Sequence, residues 1–192
     1  MRKLDVLIPI IAIMGFSIYF ISQNFQSQFE AKPDYEIDSP LPKPLMRSVL
    51  PNQQLCNVTD VFDGDIITVS CNGQEKRLRL CGIDAPEMGQ MLGEKAKTSL
   101  KRMVDEVGGK VSVYVIEEDR YGREVAEVWG EDKLFNAELV AVGLAYNYRK
   151  YSGRCLNDGA IDTAEAMAQR NKVGVWDGGN YQLPWEFRRS NR

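Results

Sequence analysis

The sequence predicts an α+β fold: a five-stranded β-barrel with about three helices, preceded by an N-terminal hydrophobic helix and a proline-containing linker. Three observations carry this. Strand-like runs rich in β-branched residues recur between Leu55 and Trp129, separated by Asp-Gly and Tyr-Gly turns. A single amphipathic helical stretch interrupts them, and further helical stretches follow Asn136.

Leu55–Phe62 and Asp65–Cys71 flank Asp63-Gly64, a two-residue hairpin signal. Lys76–Cys81 alternates, with Leu78 and Leu80 on one side and Arg77 and Arg79 on the outward side. Leu92–Val107 reads as a helix, because Ala96, Leu100, Met103 and Val107 recur at helical spacing and Gly108 stops it. Lys110–Glu117 and Arg123–Trp129 form a second hairpin across Asp119–Gly122. Asn136 is expected to cap a short helix, Ala137–Val142, that Gly143 ends. Asn157–Asn171 is the last expected helix, and Trp176 with Pro184-Trp185-Glu186 is expected to cover the core. Five strands with one helix between the third and fourth match a small barrel of the oligonucleotide/oligosaccharide-binding (OB) type.

Ahead of this domain, residues 1–22 read as a signal anchor. Met1-Arg2-Lys3 is basic, and Val6 to Ile21 is an unbroken run of apolar or small residues that spans roughly 24 Å as a helix. The run is longer than an ordinary signal-peptide core and short for a membrane span, and no small-x-small cleavage site follows it. An uncleaved anchor, with the domain outside the cytoplasm, is the expectation; a cleaved signal and a secreted protein are the alternative. Residues 23–54 form a polar linker in which Pro33, Pro40, Pro42, Pro44 and Pro51 favour extended chain. The domain is then 55–192, and a monomer is expected.

An exported domain with four cysteines points to disulfides. If the hairpin turns at Asp63-Gly64, Cys56 faces Cys71, near bonding range. Strict counting puts that pair at a hydrogen-bonded position, where side chains stand farther apart unless a bulge intervenes. Cys81–Cys155 is then expected by remainder.

Composition excludes much chemistry. The chain contains no histidine, so no imidazole can act as base, nucleophile or metal ligand. No Cys-x-x-Cys pair offers a zinc site. A metal held here is held mainly by oxygen. Residues 52–192 carry 19 Lys+Arg against 22 Asp+Glu, so a polyanion is met by a few focused cations rather than by a basic stripe.

Three short segments supply groups suited to cutting a phosphodiester. Asp63-Gly64-Asp65 and Asp84-Ala85-Pro86-Glu87 offer carboxylates, the second on a turn stiffened by Pro86. Arg79 and Arg123 offer guanidinium forks that match phosphate. Taken singly, each has an ordinary reading: a hairpin turn, a solvated acidic turn, a surface arginine, and an Arg123–Asp119 salt bridge.

Their order and spacing resemble the staphylococcal nuclease (thermonuclease) family from about Cys56 to Trp176. The matching segments are Asp63-Gly64-Asp65, Arg79-Leu80, Gly82-Ile83-Asp84-Ala85-Pro86-Glu87, Asp119-Arg120-Tyr121-Gly122-Arg123, Asn136-Ala137-Glu138-Leu139-Val140, Gly143-Leu144-Ala145 and Gly174-Val175-Trp176. The resemblance implies an OB-fold barrel that hydrolyses DNA and RNA with Ca²⁺ and leaves 3′-phosphate ends. It implies Asp65 and Asp84 as carboxylate ligands of the metal, Ala85 as a carbonyl ligand, and Glu87 as the group that orients or deprotonates water. Arg79 and Arg123 are implied to grip the phosphate. Ile66 departs from the family's usual Asp-Gly-Asp-Thr and removes a hydroxyl from near the metal. Tyr146, Tyr148 and Tyr151 fall where the family contacts a base. A non-catalytic nucleic-acid-binding module on the same barrel is the alternative. Retention of Arg79, Glu87, Arg123 and both aspartates speaks against it, and paired arginines without an aromatic sugar platform in the motif speak against a different hydrolase or a carbohydrate-binding barrel.

Overall fold

The computed structural model describes residues 53–191. The expected anchor, 1–22, lies outside the described residues, as does the linker except for Gln53 and Gln54. Among the described residues no helix is long and apolar enough to cross a membrane.

Strands β1 (Gln54–Val61), β2 (Ile66–Cys71) and β3 (Gln74–Leu80) form an antiparallel meander. Strand β5 (Lys110–Glu118) pairs with β1, and β6 (Glu124–Gly130) pairs with β5. The barrel closes where β3 meets β6 in parallel, with Leu78, Arg79 and Leu80 opposite Glu124, Val125 and Ala126. This is the expected five-stranded α+β barrel. The alternation anticipated in β3 holds, for Leu78 and Leu80 are buried inside while Arg77 is exposed. Ile67, Val69, Val111, Ala126 and Val128 complete a solvent-free interior.

Two short strands, β4 (Ile83–Asp84) and β8 (Tyr146–Asn147), make a separate ladder that ties the end of β3 to the C-terminal half. Helix α1 (Gly93–Glu106) buries Ala96, Leu100, Met103 and Val104. It ends in a Schellman motif: Gly108, at φ 64°, donates to the Asp105 carbonyl, and Gly109 donates to that of Val104. A two-residue strand, β7 (Lys133–Leu134), leads into α2 (Phe135–Ala141). The one-turn α3 (Arg149–Ser152), α4 (Asp158–Asn171), a 3-10 turn at Gly174–Trp176 and α5 (Pro184–Ser190) follow. Helices α3 and α5 lie beyond the three expected. Both are short, and their aromatic and basic residues give little helical periodicity to read.

Three local expectations need correction. The first hairpin does not turn in two residues. The Phe62 and Asp63 amides both donate to the Ile66 carbonyl, and Asp63 Oδ1 accepts the Asp65 amide at 3.0 Å, so the connection is longer than a two-residue Asp-Gly turn and is held by the Asp63 side chain. A bulge between Val58 and Asp60 then restores the pairing toward the strand ends, Asn57 with Ser70. Cys56 and Cys71 therefore face each other with Cα atoms 4.4 Å apart, the close spacing of a non-hydrogen-bonded pair, and form a disulfide.

Asn136, expected as a helix cap, sits inside α2 with its side chain fully buried. Its Nδ2 donates to the carbonyls of Cys81 (2.9 Å) and Ala126 (3.3 Å), and its Oδ1 accepts the Val128 amide at 3.1 Å. One amide thus serves backbone groups of β6 and of the turn after β3, beside the seam that closes the barrel. Pro184 is buried as expected, but Trp185 is not a core residue and faces a cavity described below.

The second disulfide, Cys81–Cys155, also forms. It joins the end of β3 to the segment before α4 across a sequence separation of 74. Loop-closure entropy in the unfolded chain makes such a bridge worth about 4 kcal/mol, against about 3 kcal/mol for Cys56–Cys71.

Asn136→Ala leaves the buried Val128 amide and Cys81 carbonyl without the partner that Asn136 gives them, while the Ala126 carbonyl keeps the Cys81 amide, and is expected to cost about 2–4 kcal/mol. Urea unfolding of the variant beside Asn57→Ala, at an exposed strand position, measures this; equal midpoints would show that Asn136 does not hold the seam.

Candidate active site

The loop before β2 brings the first carboxylates into place. Gly64 packs so closely that a Cβ there would lie 2.6 Å from the Ala96 Cβ and 2.7 Å from the Ala85 Cβ. Only glycine lets the Asp63–Asp65 loop lie against both α1 and the turn after β4. The Asp65 carboxylate then spans the gap between elements: Oδ2 accepts the Ala85 amide at 2.8 Å, and Oδ1 accepts Arg79 Nη1 at 2.8 Å.

Arg79 leaves β3 on the outside of the barrel, as the alternation predicts, but it does not end in solvent. Its Nη2 donates to Asp84 Oδ1 at 2.7 Å and to the Ile83 carbonyl at 3.2 Å. One guanidinium thus bridges Asp65 and Asp84, whose side chains are 5% and 0% exposed. Burial pushes the Asp65 carboxyl up, to about 7; Arg79 opposes this, while Asp63 and Asp84 add to it. Burial pulls on Arg79 in the other direction, but Asp65 and Asp84 outweigh it and hold the guanidinium firmly charged.

Arg123 forms the ion pair that its spacing allows. Its Nε donates to Asp119 Oδ2 at 2.8 Å and its Nη2 lies 2.6 Å from the same oxygen. Partial burial raises the Asp119 carboxyl, yet the hydrogen bonds from Arg123 and from the Tyr121 amide win and hold it below the ordinary carboxylate range. The pair stays close to the surface and keeps the guanidinium facing the cavity.

That cavity, about 660 Å³, is lined by Asp65, Arg79, Ala85, Glu87 and Arg123 together. Asp84 lies just behind its wall, fully buried. The residues singled out as metal ligands, water-handling group and phosphate-binding arginines therefore converge on one place. Ile66 lines it too, almost entirely buried. The three tyrosines separate. Tyr146 is buried and packs edge-on against Trp176 and Trp185, whereas Tyr148 and Tyr151 line the cavity. Although the domain is acidic, five arginines border this one hollow: Arg79, Arg120, Arg123, Arg154 and Arg188.

Two residues at the site escaped the sequence reading. Trp185 stacks flat on Tyr148, with ring centroids 5.1 Å apart and planes within 4°. Arg188 reaches Asp84 and Glu87. Their signal is Pro184-Trp185-Glu186 followed by the basic pair Arg188-Arg189: a proline-started turn that carries an aromatic and two cations.

The donor set suits a hard cation. Asp65, Asp84 and the Ala85 carbonyl offer oxygen only, the chemistry that Ca²⁺ prefers. Arg79 pairs with Asp65 and Asp84, and Arg188 with Asp84 and Glu87, so a cation here would share carboxylates that already meet guanidiniums. Among the described residues no three Asp, Glu or Cys side chains form a complete metal-binding group. A cation here would rest on two carboxylates together with backbone and water oxygens.

Residues 77–178 match the family described as staphylococcal nuclease homologue. The chain is 36% identical over 144 residues to a micrococcal nuclease of Shigella flexneri, covering 70% of this chain and 80% of that protein. It is 34% identical over 137 residues to the thermonuclease of Staphylococcus hyicus, covering 65% and 77%. An uncharacterized endonuclease of Haemophilus influenzae is 32% identical over 138 residues, covering 71% and 74%. Among plant relatives the chain spans only about a third of the length, 34% of a staphylococcal-like nuclease of Arabidopsis thaliana and 32% of a 38.1 kDa protein of Capnoides sempervirens.

Stability should separate the two arginines. Arg79→Ala strips a partner from two buried carboxylates and is expected to cost about 3 kcal/mol. Arg123→Ala removes a near-surface pair and is expected to cost at most about 1 kcal/mol. Chemical denaturation of both variants reads the difference; equal losses would show that Arg79 does not anchor the buried pair.

Proposed function

The chain belongs to the staphylococcal nuclease family, and on that premise we propose that it hydrolyses phosphodiester bonds of DNA and RNA without strong sequence preference, in a Ca²⁺-dependent reaction. The observation that carries this is the convergence of Asp65, Arg79, Ala85, Glu87 and Arg123 on one cavity. It is supported by relatives named as nucleases that align over most of their length.

In this reading Asp65, Asp84 and the Ala85 carbonyl hold the cation. When bound, Ca²⁺ supplies positive charge next to the phosphoryl group and neutralises charge that builds there. Arg79 and Arg123 enter the cavity from opposite sides of the β3–β6 seam, the first fixed by two buried carboxylates and the second by Asp119. Each presents N–H donors to the equatorial oxygens of the phosphate, and donors already in place need no reorganisation as charge develops. Glu87, partly exposed beside them, takes a proton from the attacking water. Its backbone is pinned by the Gln90 side chain, whose Oε1 accepts the Glu87 amide at 2.9 Å, so the carboxylate has a fixed origin. In-line attack expels the 5′-oxygen, which takes up a proton from solvent water, leaving a 3′-phosphate and a 5′-hydroxyl. Tyr148 and Tyr151 border the same hollow and offer ring faces to an unstacked base. With a Val6–Ile21 anchor, the domain would work outside the cytoplasm, where Ca²⁺ is plentiful and the two disulfides persist.

The test uses the full chain, purified in mild detergent under oxidising conditions, with single-stranded DNA and RNA. Cleavage is expected with Ca²⁺ and not with chelator. Glu87→Gln is expected to lose at least about 10²-fold in rate while folding normally, and Arg123→Ala about 10²–10³-fold. A folded protein that binds oligonucleotide without cutting it would replace the nuclease with a binding module.

A further inference from the structure

Arg188 has no part in the chemistry just proposed, yet it makes the most intimate contacts with two of that chemistry's carboxylates. Its Nη1 donates to Asp84 Oδ1 at 2.9 Å and to Glu87 Oε1 at 2.5 Å, and its Nη2 donates to Asp84 Oδ2 at 2.7 Å. Helix α5, which carries it, is seated by Trp185 on Tyr148 and by Gln90 Nε2, which donates to the Gln182 carbonyl at 2.7 Å.

We infer that Arg188 is a built-in competitor of the divalent cation: it occupies Asp84 and Glu87 when the cation is absent, must leave when the cation enters, and so sets the affinity of the site. This rests on the reading of Asp84 as a cation ligand. The oxygens carry the argument. Asp84 Oδ1 already accepts from Arg79 and from Arg188, and Oδ2 accepts from Arg188. Three of the roughly four lone-pair sites on Asp84 are therefore taken, and a divalent cation at the remaining one, on Oδ2, would lie against the like charge of the arginine already bonded to that oxygen. Arg79 cannot be the one to leave, because it projects from a barrel strand, also holds Asp65, and has a side chain only 16% exposed. The Arg188 side chain is 35% exposed, projects from a seven-residue helix, and can swing out along its own stem. Its charge explains how Asp84 tolerates complete burial before any ion arrives. The same contact ties up Glu87, so the group that takes the proton from water is released by the event that loads the site.

Isothermal titration of Ca²⁺ into the full chain in mild detergent, with no nucleic acid present, reads the competition directly and without turnover. Arg188→Gln is expected to bind Ca²⁺ at least about fivefold more tightly than the natural sequence. In chelator its melting temperature is expected to fall, and in saturating Ca²⁺ the deficit is expected to shrink. Arg188→Lys keeps a charge but cannot make the bidentate contact, and is expected to fall between the two; it also serves if Arg188→Gln fails to fold. Arg189→Gln, at the exposed neighbouring position, is expected to leave the affinity unchanged. Unchanged or weaker Ca²⁺ binding in both Arg188 variants would overturn the inference while leaving the Ca²⁺ site in place. If neither the natural sequence nor the variants bind Ca²⁺, the inference falls together with the cation-dependent reading.

Discussion

The Arg79 guanidinium, held between Asp65 and Asp84, is the interaction on which the rest of this structure depends. Two carboxylates lie in the low-dielectric space between a barrel and its covering helix, where an uncompensated charge is very costly. Arg79 compensates both at once from a strand whose neighbours on either side fix its position. From that requirement the local architecture follows. The 63–65 loop must lie flat against the turn after β4, so Gly64 is needed, and the Ala85 amide must point at Asp65. The acidic groups are thereby poised rather than relaxed, with burial pressing Asp65 toward its neutral form while Arg79 resists.

Barrel and site are therefore not separable layers. The residues that close the barrel also deliver the charged groups, and the buried amide of Asn136 completes backbone hydrogen bonding beside the strand ends that carry them. The C-terminal half contributes through the β4–β8 ladder and the Cys81–Cys155 bridge, which bring Tyr148 and Tyr151 to the rim of a cavity otherwise built by the N-terminal strands. A net-acidic domain can in this way present several arginines to a polyanion, each steadied by its own carboxylate partner: Arg123 by Asp119, Arg154 by Glu117.

Most of the barrel was legible because its signals are local: alternation in β3, helical spacing in α1, glycines at both helix ends. The convergence of Asp65, Arg79, Ala85, Glu87 and Arg123 was legible through the order and spacing of whole segments, since no single segment is distinctive. The cysteine pairing was legible from register, although by way of a turn that does not form; the bulge near Thr59 compensates for the longer loop. What escaped depends on contacts distant in sequence. Asn136 looks like a cap because Asn at a helix start usually is one, and nothing nearby announces that Cys81, Ala126 and Val128 need its amide. Arg188 lies about a hundred residues from its partners, and α5 is too short to show a face.

The parallel seam between β3 and β6 carries one more consequence. Arg79 stands opposite Val125, two residues beyond Arg123, so the pairing of these strands measures out the distance between the two arginine backbones. The seam is a ruler as well as a clasp. A change in its interior that shifts the strands by a fraction of an ångström, too small to unfold anything, still alters the span between the two guanidiniums. In the proposed reading, tolerance to mutation along this seam is therefore set by the size of a phosphate group as well as by the stability of the barrel.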